Sequence, residues 1–253
     1  MSAPAPVAFW IAQFNIQNPD YRSTQNSAQS WSKRLPLIVR ALRAGTTATK
    51  GASVLLLNEC PLHCASDIAA RLGSDWTWDR VGVNVVMRPN SKWIERGLIE
   101  RVLPGNGTRS IVAVKLQRRG TPTVVTFGST HFETLASGFA RNSADAQAWR
   151  DRQARDAVAS VRSRPAIIGG DFNDTDTKTG PRAIFRKAGL LPLADRLTIQ
   201  HDHGSSDSGK KIDDICTSRD LAVTFAERVD PGAGSDHKLT RVRVVANPAP
   251  DPA

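Results

Sequence analysis

The chain has 253 residues, with 34 Lys and Arg against 24 Asp and Glu, a formal net charge of +10. Its 40% hydrophobic and 23% charged residues suffice for a buried core, which excludes a disordered chain, and no apolar run approaches the roughly 20 residues that span a bilayer. The positive surplus draws polyanions to the surface, so nucleic acid is the first partner to consider.

In chain order, residues 1–6 and 247–253 are Pro/Ala segments without an apolar anchor, which leaves a single domain expected over 7–246. Residues 7–16 read as a short apolar strand. In the run 31–44 (WSKRLPLIVRALRA), Leu35, Ile38, Val39 and Leu42 share one helical face, with Pro36 placed in a first turn. Residues 52–57 (ASVLLL) form a buried-strand run that closes on Asn58 and Glu59, and 61–72 can form a helix. Four β-like segments follow at 80–87, 93–102, 110–117 and 123–129, separated by Pro, Gly and Asn. A helix over about 141–162 precedes a strand at 166–168, and further strands are expected at 211–217, 222–227 and 239–245. Strands interrupted by a few helices, rather than strict βαβ alternation, suggest two sheets packed face to face with helices outside, a four-layer α/β sandwich.

Polar residues stand where these apolar runs end: Asn15 (AQFNI), Glu59 (LLLNEC), His131 (GSTHFET), Asp171 and Asn173 (IIGGDFND), Asp213 and Asp214 (KIDDI), and Ser235-Asp236-His237. Singly, each has a bland reading as a turn amide, a solvated carboxylate, a cap or a hydrogen-bonded histidine. Together they form a hard-ligand set suited to Mg²⁺ or Mn²⁺, and carboxylate, amide and histidine are the groups that phosphodiester hydrolysis needs.

In order and spacing, FNI, NE, STH, GGDFN, KIDDI and SDH resemble the motif series of the endonuclease/exonuclease/phosphatase superfamily, metal-dependent phosphodiesterases that include pancreatic-type deoxyribonuclease. The resemblance runs over about residues 9–245 and implies a pair of mixed sheets flanked by helices. It implies that Glu59 binds the divalent metal with Asn15 beside it and Asp236 as a second contributor. Asp171 would orient or activate the attacking water, Asn173 would steady the phosphate and His131 would face it. His237 would be the catalytic histidine, polarised by Asp213; Asp214 competes for that place, and Asp213 is preferred because KIDDI matches the family's basic-Ile-Asp pattern, strand alternation putting Asp214 on the opposite face.

The sequence departs from the apurinic/apyrimidinic endonucleases of that superfamily. It has STHFET where they carry a Tyr-bearing, Pro-Asn-containing motif, and Gln17 where they carry a carboxylate. Its single tyrosine, Tyr21, lies outside the segment between Glu59 and His131, so Arg109 is the candidate phosphate contact, or else a solvated strand-end charge. The implied activity is metal-dependent hydrolysis of the DNA backbone by an endonuclease. A phosphatase or phosphodiesterase for a small or lipid phosphoester is the enzymatic alternative, and a catalytically silent nucleic-acid-binding module the rival of another class.

The remaining features carry less. Three cysteines are too few and too odd in number for a disulfide framework, and MSAPAPVAFW lacks a basic-then-apolar leader, so a cytoplasmic monomer is expected. Cys60-Pro-Leu-His63-Cys64 has no second Cys/His pair at zinc spacing and reads as structural. His201-Asp202-His203 reads as part of a flexible loop near the site, and Gly169-Gly170 as room for the backbone before Asp171. Arg141, Arg150, Arg152, Arg155, Arg162 and Arg164 read as a solvated helix face. Lys178, Arg182, Arg186, Lys187, Lys210 and Lys211 flank the site segments; lining a cleft, they would neutralise phosphates and make binding fall with salt.

Overall fold

The first strand, β1 (Val7–Asn15), sorts its residues by parity, Phe9 and Ile11 entering one apolar layer and Ala12 and Phe14 another. In the computed structural model, which describes residues 5–19, 30–46, 53–105, 109–134, 142–176, 178–199, 206 and 210–246, the chain then forms α1 (Trp31–Thr46), β2 (Ser53–Asn58), α2 (Leu62–Leu72), β3 (Trp76–Val81), β4 (Asn84–Pro89), β5 (Trp93–Val102), β6 (Ser110–Arg118) and β7 (Val124–His131). It continues through α3 (Ser143–Ser160), β8 (Ala166–Asp171), α4 (Gly180–Lys187), β9 (Leu190–Pro192), β10 (Asp213–Ser218), β11 (Leu221–Val229) and β12 (Leu239–Ala246).

The strands make two six-stranded sheets, β11-β12-β1-β2-β4-β3 and β5-β6-β7-β8-β10-β9. Each is mixed: β1 and β2 run parallel across the α1 crossover, β7 and β8 parallel across α3, and the other pairs are antiparallel. Phe9, Ile11, Leu56, Val114, Phe127 and Ile167 fill the space between the sheets, where Trp93 meets the Phe9 and Phe127 rings edge-on at 5.3 and 5.4 Å. Leu35, Ile38, Leu42 and Ile68 seat α1 and α2 on the first sheet, and Ala154, Ala157 and Phe185 seat α3 and α4 on the second. Burying each large apolar side chain stabilises the fold by about 1.5–3 kcal/mol. This is the four-layer α/β sandwich that the strand order suggested.

Several expectations are corrected. The segment 80–87 is not one strand but straddles the turn between β3 and β4, where Gly82 has φ 58° and Val81 pairs with Asn84; the valines on either side of Gly82 conceal a two-residue reversal. Pro36 lies inside α1 rather than in its first turn, because the helix already starts at Trp31. The eight-residue α4 and the three-residue β9 escaped notice because neither is long enough to show a period. The terminal segments 1–4 and 247–253, together with Tyr21, Arg141 and His201-Asp202-His203, lie outside the described residues.

What positions the site is the inward-facing row of each central strand, which changes from apolar to polar at one end. On β1 the row runs Phe9, Ile11, Gln13, Asn15; on β2, Val54, Leu56, Asn58; on β7, Val125, Phe127, Ser129, His131. Register aligns the ends: Asn15 pairs with Asn58 in the first sheet, and His131, Asp171 and Asp213 lie abreast on β7, β8 and β10 of the second. The two polar ends face one another across the sandwich.

Candidate active site

Asp171 is the centre of the assembly. Its Oδ2 accepts from Asn15 Nδ2 at 3.1 Å, and His131 Nε2 and His237 Nε2 stand 3.7 and 3.9 Å from the same oxygen. Asn15 Nδ2 also reaches Glu59 Oε1 at 3.1 Å, and His131 Nδ1 lies 4.0 Å from that oxygen. The carboxylate of Asp213 holds His237 Nδ1 at 2.7 Å. Asp236 lies at the mouth with its Oδ1 3.9 Å from His237 Nε2.

The backbone turns that deliver these groups repeat one device. Asn15 Oδ1 accepts from the N–H of Gln17 at 3.0 Å, and Asp171 Oδ1 accepts from the N–H of Asn173 at 2.9 Å, two Asx turns that bend the chain as it leaves β1 and β8. Gln17, Glu59 and Asn173, with φ 55°, 52° and 50°, are the non-glycine residues of positive φ among the described residues, and all three follow strand ends at this site. Such conformations cost about 1–3 kcal/mol each and persist because the surroundings fix them. Asn18 N–H bonds Glu59 Oε2 at 3.0 Å, and Ser235 Oγ donates to the Asn15 carbonyl at 2.8 Å while accepting from the His237 N–H at 3.2 Å. From α1, the buried Arg34 donates to the carbonyls of Ile16, Gln17 and Gly234, tying the loop after β1 to the loop before β12.

Electrostatics separates the titrating groups. Burial alone would lower the pKa of His237, but the charge and hydrogen bond of Asp213, joined by Asp171 and Asp236, hold it up at about 10. Burial and the neighbouring Asp213 charge raise Asp171 to about 7, against the opposing pull of His237 and the Asn173 N–H. His131 is pushed well below its ordinary value by burial and by the positive charges of Arg109 and His237, so it is neutral.

Both raised values carry the same sign for stability. His237 binds its proton more tightly in the fold than in the unfolded chain, so that contribution is complete below about pH 6.5 and is lost as pH rises through about 10. Asp171 adds a loss of the same sign as pH rises from 3.8 through about 7. The thermal midpoint of the protein in EDTA is therefore expected to fall between pH 6.5 and 10, and His237→Gln is expected to flatten the slope. An equally steep fall in the variant would place the titration elsewhere.

The sequence-derived set is thus largely brought together: Asn15, Glu59, His131, Asp171, Asp213, Asp236 and His237 converge. Asn173 adjoins them, but its Nδ2 donates to the Phe132 carbonyl at 2.9 Å. Arg109 is paired with the fully buried Glu133 at 3.5 Å, with its own side chain 11% exposed, so it is no solvated strand-end charge. Asp214 faces away from His237, as alternation required, and meets Arg182 at 2.8 Å. Arg182 is corrected accordingly. It is buried, also donates to the carbonyls of Asp174 and Lys211, and does not line a cleft. Arg186 pairs with Asp195, whereas Lys178, Lys187, Lys210 and Lys211 are exposed. All three cysteines are buried and none is in a disulfide, Cys60 and Cys64 lying in the layer under α2.

Sequence reasoning missed Gln13, Asn58, Asn84 and Glu133, which carry no charge signature or sit beside louder residues. Gln13 could have been found from parity, standing two residues before Asn15 on the same face.

The donor set fits a hard divalent cation. Glu59 and Asp236 present partly exposed carboxylates, and Asp236 Oδ1 is buried without a hydrogen-bond partner. Asp171, Asp213 and His237 also offer ligand atoms within 4.8 Å of one another, but the last two already bind each other. Among the described residues no helix is long and apolar enough to cross a membrane.

Solved structures share this architecture. The chain is similar to a mannosyl-6-phosphatase from Bacteroides thetaiotaomicron (16% identity, 93% of this chain and 99% of that one, TM-score 0.71) and to the catalytic domain of human Nocturnin with a bound sulfate anion (17%, 94% of each chain, 0.71). It is also similar to D. rerio TDP2 complexed with a single-strand DNA product (14%, 94% of this chain and 98% of that one, 0.67). At these identities the likeness shows the fold. The sequence matches no curated protein. Residues 12–237, from within β1 to the histidine before β12, match the sequence profile of the Endonuclease/Exonuclease/phosphatase family, so the site just described sits in a chain that belongs to that family of phosphoester hydrolases.

Proposed function

We propose that the protein is a divalent-metal-dependent phosphodiesterase whose substrate is nucleic acid, DNA foremost, cut by attack of water on phosphorus. The observation that carries the chemistry is the convergence of a raised carboxylate, Asp171, and a cationic imidazole, His237, 3.9 Å apart at one mouth. Environments that push two titrating groups apart assign the acid and the base. Asp171 orients the water and takes its proton as the new P–O bond forms. His237, protonated at neutral pH and fixed by Asp213, gives a proton to the leaving oxygen as the old P–O bond breaks. Neutral His131 and Asn15 line the space beside Asp171, where phosphate oxygens would lie. Glu59 and Asp236 would hold Mg²⁺ or Mn²⁺, whose chemistry there is relief of the phosphate's negative charge.

The net charge of +10 and the exposed Lys178, Lys187, Lys210 and Lys211 support a polyanionic substrate. Plasmid, linear duplex, single-stranded DNA and RNA incubated with Mg²⁺, Mn²⁺ or EDTA give the test. Metal-dependent nicking of the circle is expected, with KM rising at least about tenfold between 50 and 200 mM salt. A second reading, a phosphatase for small phosphomonoesters, is favoured by the likeness to the mannosyl-6-phosphatase. Release of phosphate from sugar phosphates, with no cleavage of any nucleic acid, would decide for it.

A further inference from the structure

Gln13 is fully buried between the sheets, and the reaction as proposed gives it nothing to do. Its Nε2 donates to Asp213 Oδ1 at 3.1 Å and to Asn58 Oδ1 at 3.1 Å. An amide NH₂ carries two hydrogens, so both bonds are made together. Asp213 is then held at both oxygens, Oδ1 by Gln13 and Oδ2 by His237 Nδ1 at 2.7 Å, which stops the rotation that a carboxylate's broad terminal torsion otherwise permits. Asn58 extends the brace. Its Oδ1 accepts from the N–H of Asp171 at 3.2 Å, and its Nδ2 donates to the carbonyl of Thr130, next to His131, at 2.9 Å.

The orientation of the Gln13 amide is determined. Flipped, Oε1 would confront two acceptor oxygens; as placed, Oε1 is buried without a partner, a cost the fold bears to keep both donor bonds. Glycine at 169 leaves the room, since a Cβ there would stand 3.3 Å from Gln13 Cβ and Cγ.

We infer that Gln13, on β1, is a positioning residue that sets the Asp213 carboxylate on the opposite sheet, and through it the His237 ring, in register with Asp171. The inference rests on the reading of Asp213 and His237 as the working pair. Residues that orient a catalytic group from behind typically cost about 10- to 100-fold in activity when removed.

Gln13→Met keeps the length and loses both donors, and Gln13→Asn keeps the amide one methylene too short to bridge. The readout independent of activity is the proton NMR resonance of the His237 Nδ1–H in the metal-free protein, assigned by its absence in His237→Gln. In Gln13→Met it is expected to shift or to be lost to solvent exchange, with kcat lower by about 10- to 100-fold and KM within about twofold. Gln13→Asn is expected to move it as well and decides the question if the Met variant does not fold. An unmoved resonance in either folded variant overturns the inference, and so does an unchanged kcat in Gln13→Met. If the parent hydrolyses no phosphoester while the resonance still moves, the proposed function fails and the positioning role stands.

Discussion

His237→Gln is expected to lower kcat by at least about 10²-fold, with KM for the phosphoester altered by less than about threefold. Glutamine can still reach toward Asp213, but it holds no proton that could pass to a leaving oxygen, so the loss falls on the transition state rather than on binding. Asp171→Asn is expected to lose as much, since the amide neither takes a proton nor carries the charge that faces His131 and His237 at 3.7 and 3.9 Å. The double variant should be no worse than about the weaker single one, because the two residues serve one proton inventory and their losses do not add. Single-turnover rates with saturating Mg²⁺ separate chemistry from product release. A His237→Gln enzyme within about tenfold of the parent would sink the assignment of the acid, and additive losses would mean that the two act in separate steps.

How much of this was legible in the sequence depended on where each residue stood relative to a period. Asn15, Glu59, Asp171 and His237 stood out because a charged or amide side chain at the end of an apolar run breaks a pattern. Asp213 was preferred to Asp214 on the match of KIDDI to the family's basic-Ile-Asp pattern; period-two alternation added only that the two face opposite ways, and the structure sends Asp213 to His237 and Asp214 to Arg182. The arrangement of the strands into two opposed sheets was only suggested by their order; no local signal says that β1 lies between β12 and β2. Arg182 misled for a physical reason. An arginine in a segment rich in basic residues looks solvated, but α4, too short to be seen, turns it inward onto a carboxylate and two carbonyls. Gln13 was silent because a neutral amide inside an apolar run shows nothing of its partners, which come from strands far away in sequence, and Asn58, although it closes such a run, stood beside the louder Glu59.

Gly170→Ala is expected to destabilise the protein by more than about 3 kcal/mol, or to prevent folding. The glycine's φ is not the reason, since it lies outside the left-handed region; the reason is its neighbour. On the parallel pair β7 and β8, Gly170 stands opposite Thr130, and a Cβ would fall 1.9 Å from the Thr130 carbonyl oxygen, a backbone atom that no rotamer change can move. Gly169→Ala meets side chains instead, Leu56 Cδ1 at 2.7 Å and Gln13 Cβ and Cγ at 3.3 Å, and should cost less stability. Gly97→Ala, whose nearest atom is Lys115 Cδ at 3.8 Å, serves as the control. In urea, Gly170→Ala should lower the midpoint by about 1 M or more with little change in slope, and Gly97→Ala should leave it in place. A Gly170→Ala midpoint equal to the parent's would contradict the close approach of β7 to β8. The same Thr130 carbonyl accepts from Asn58 Nδ2, and His131 follows it in the chain, so any shift that admits the methyl also displaces the inner wall of the site. Whatever folded fraction of Gly170→Ala survives is therefore expected to lose turnover as well, which makes the paired glycines before Asp171 a condition of the chemistry and not merely of the strand.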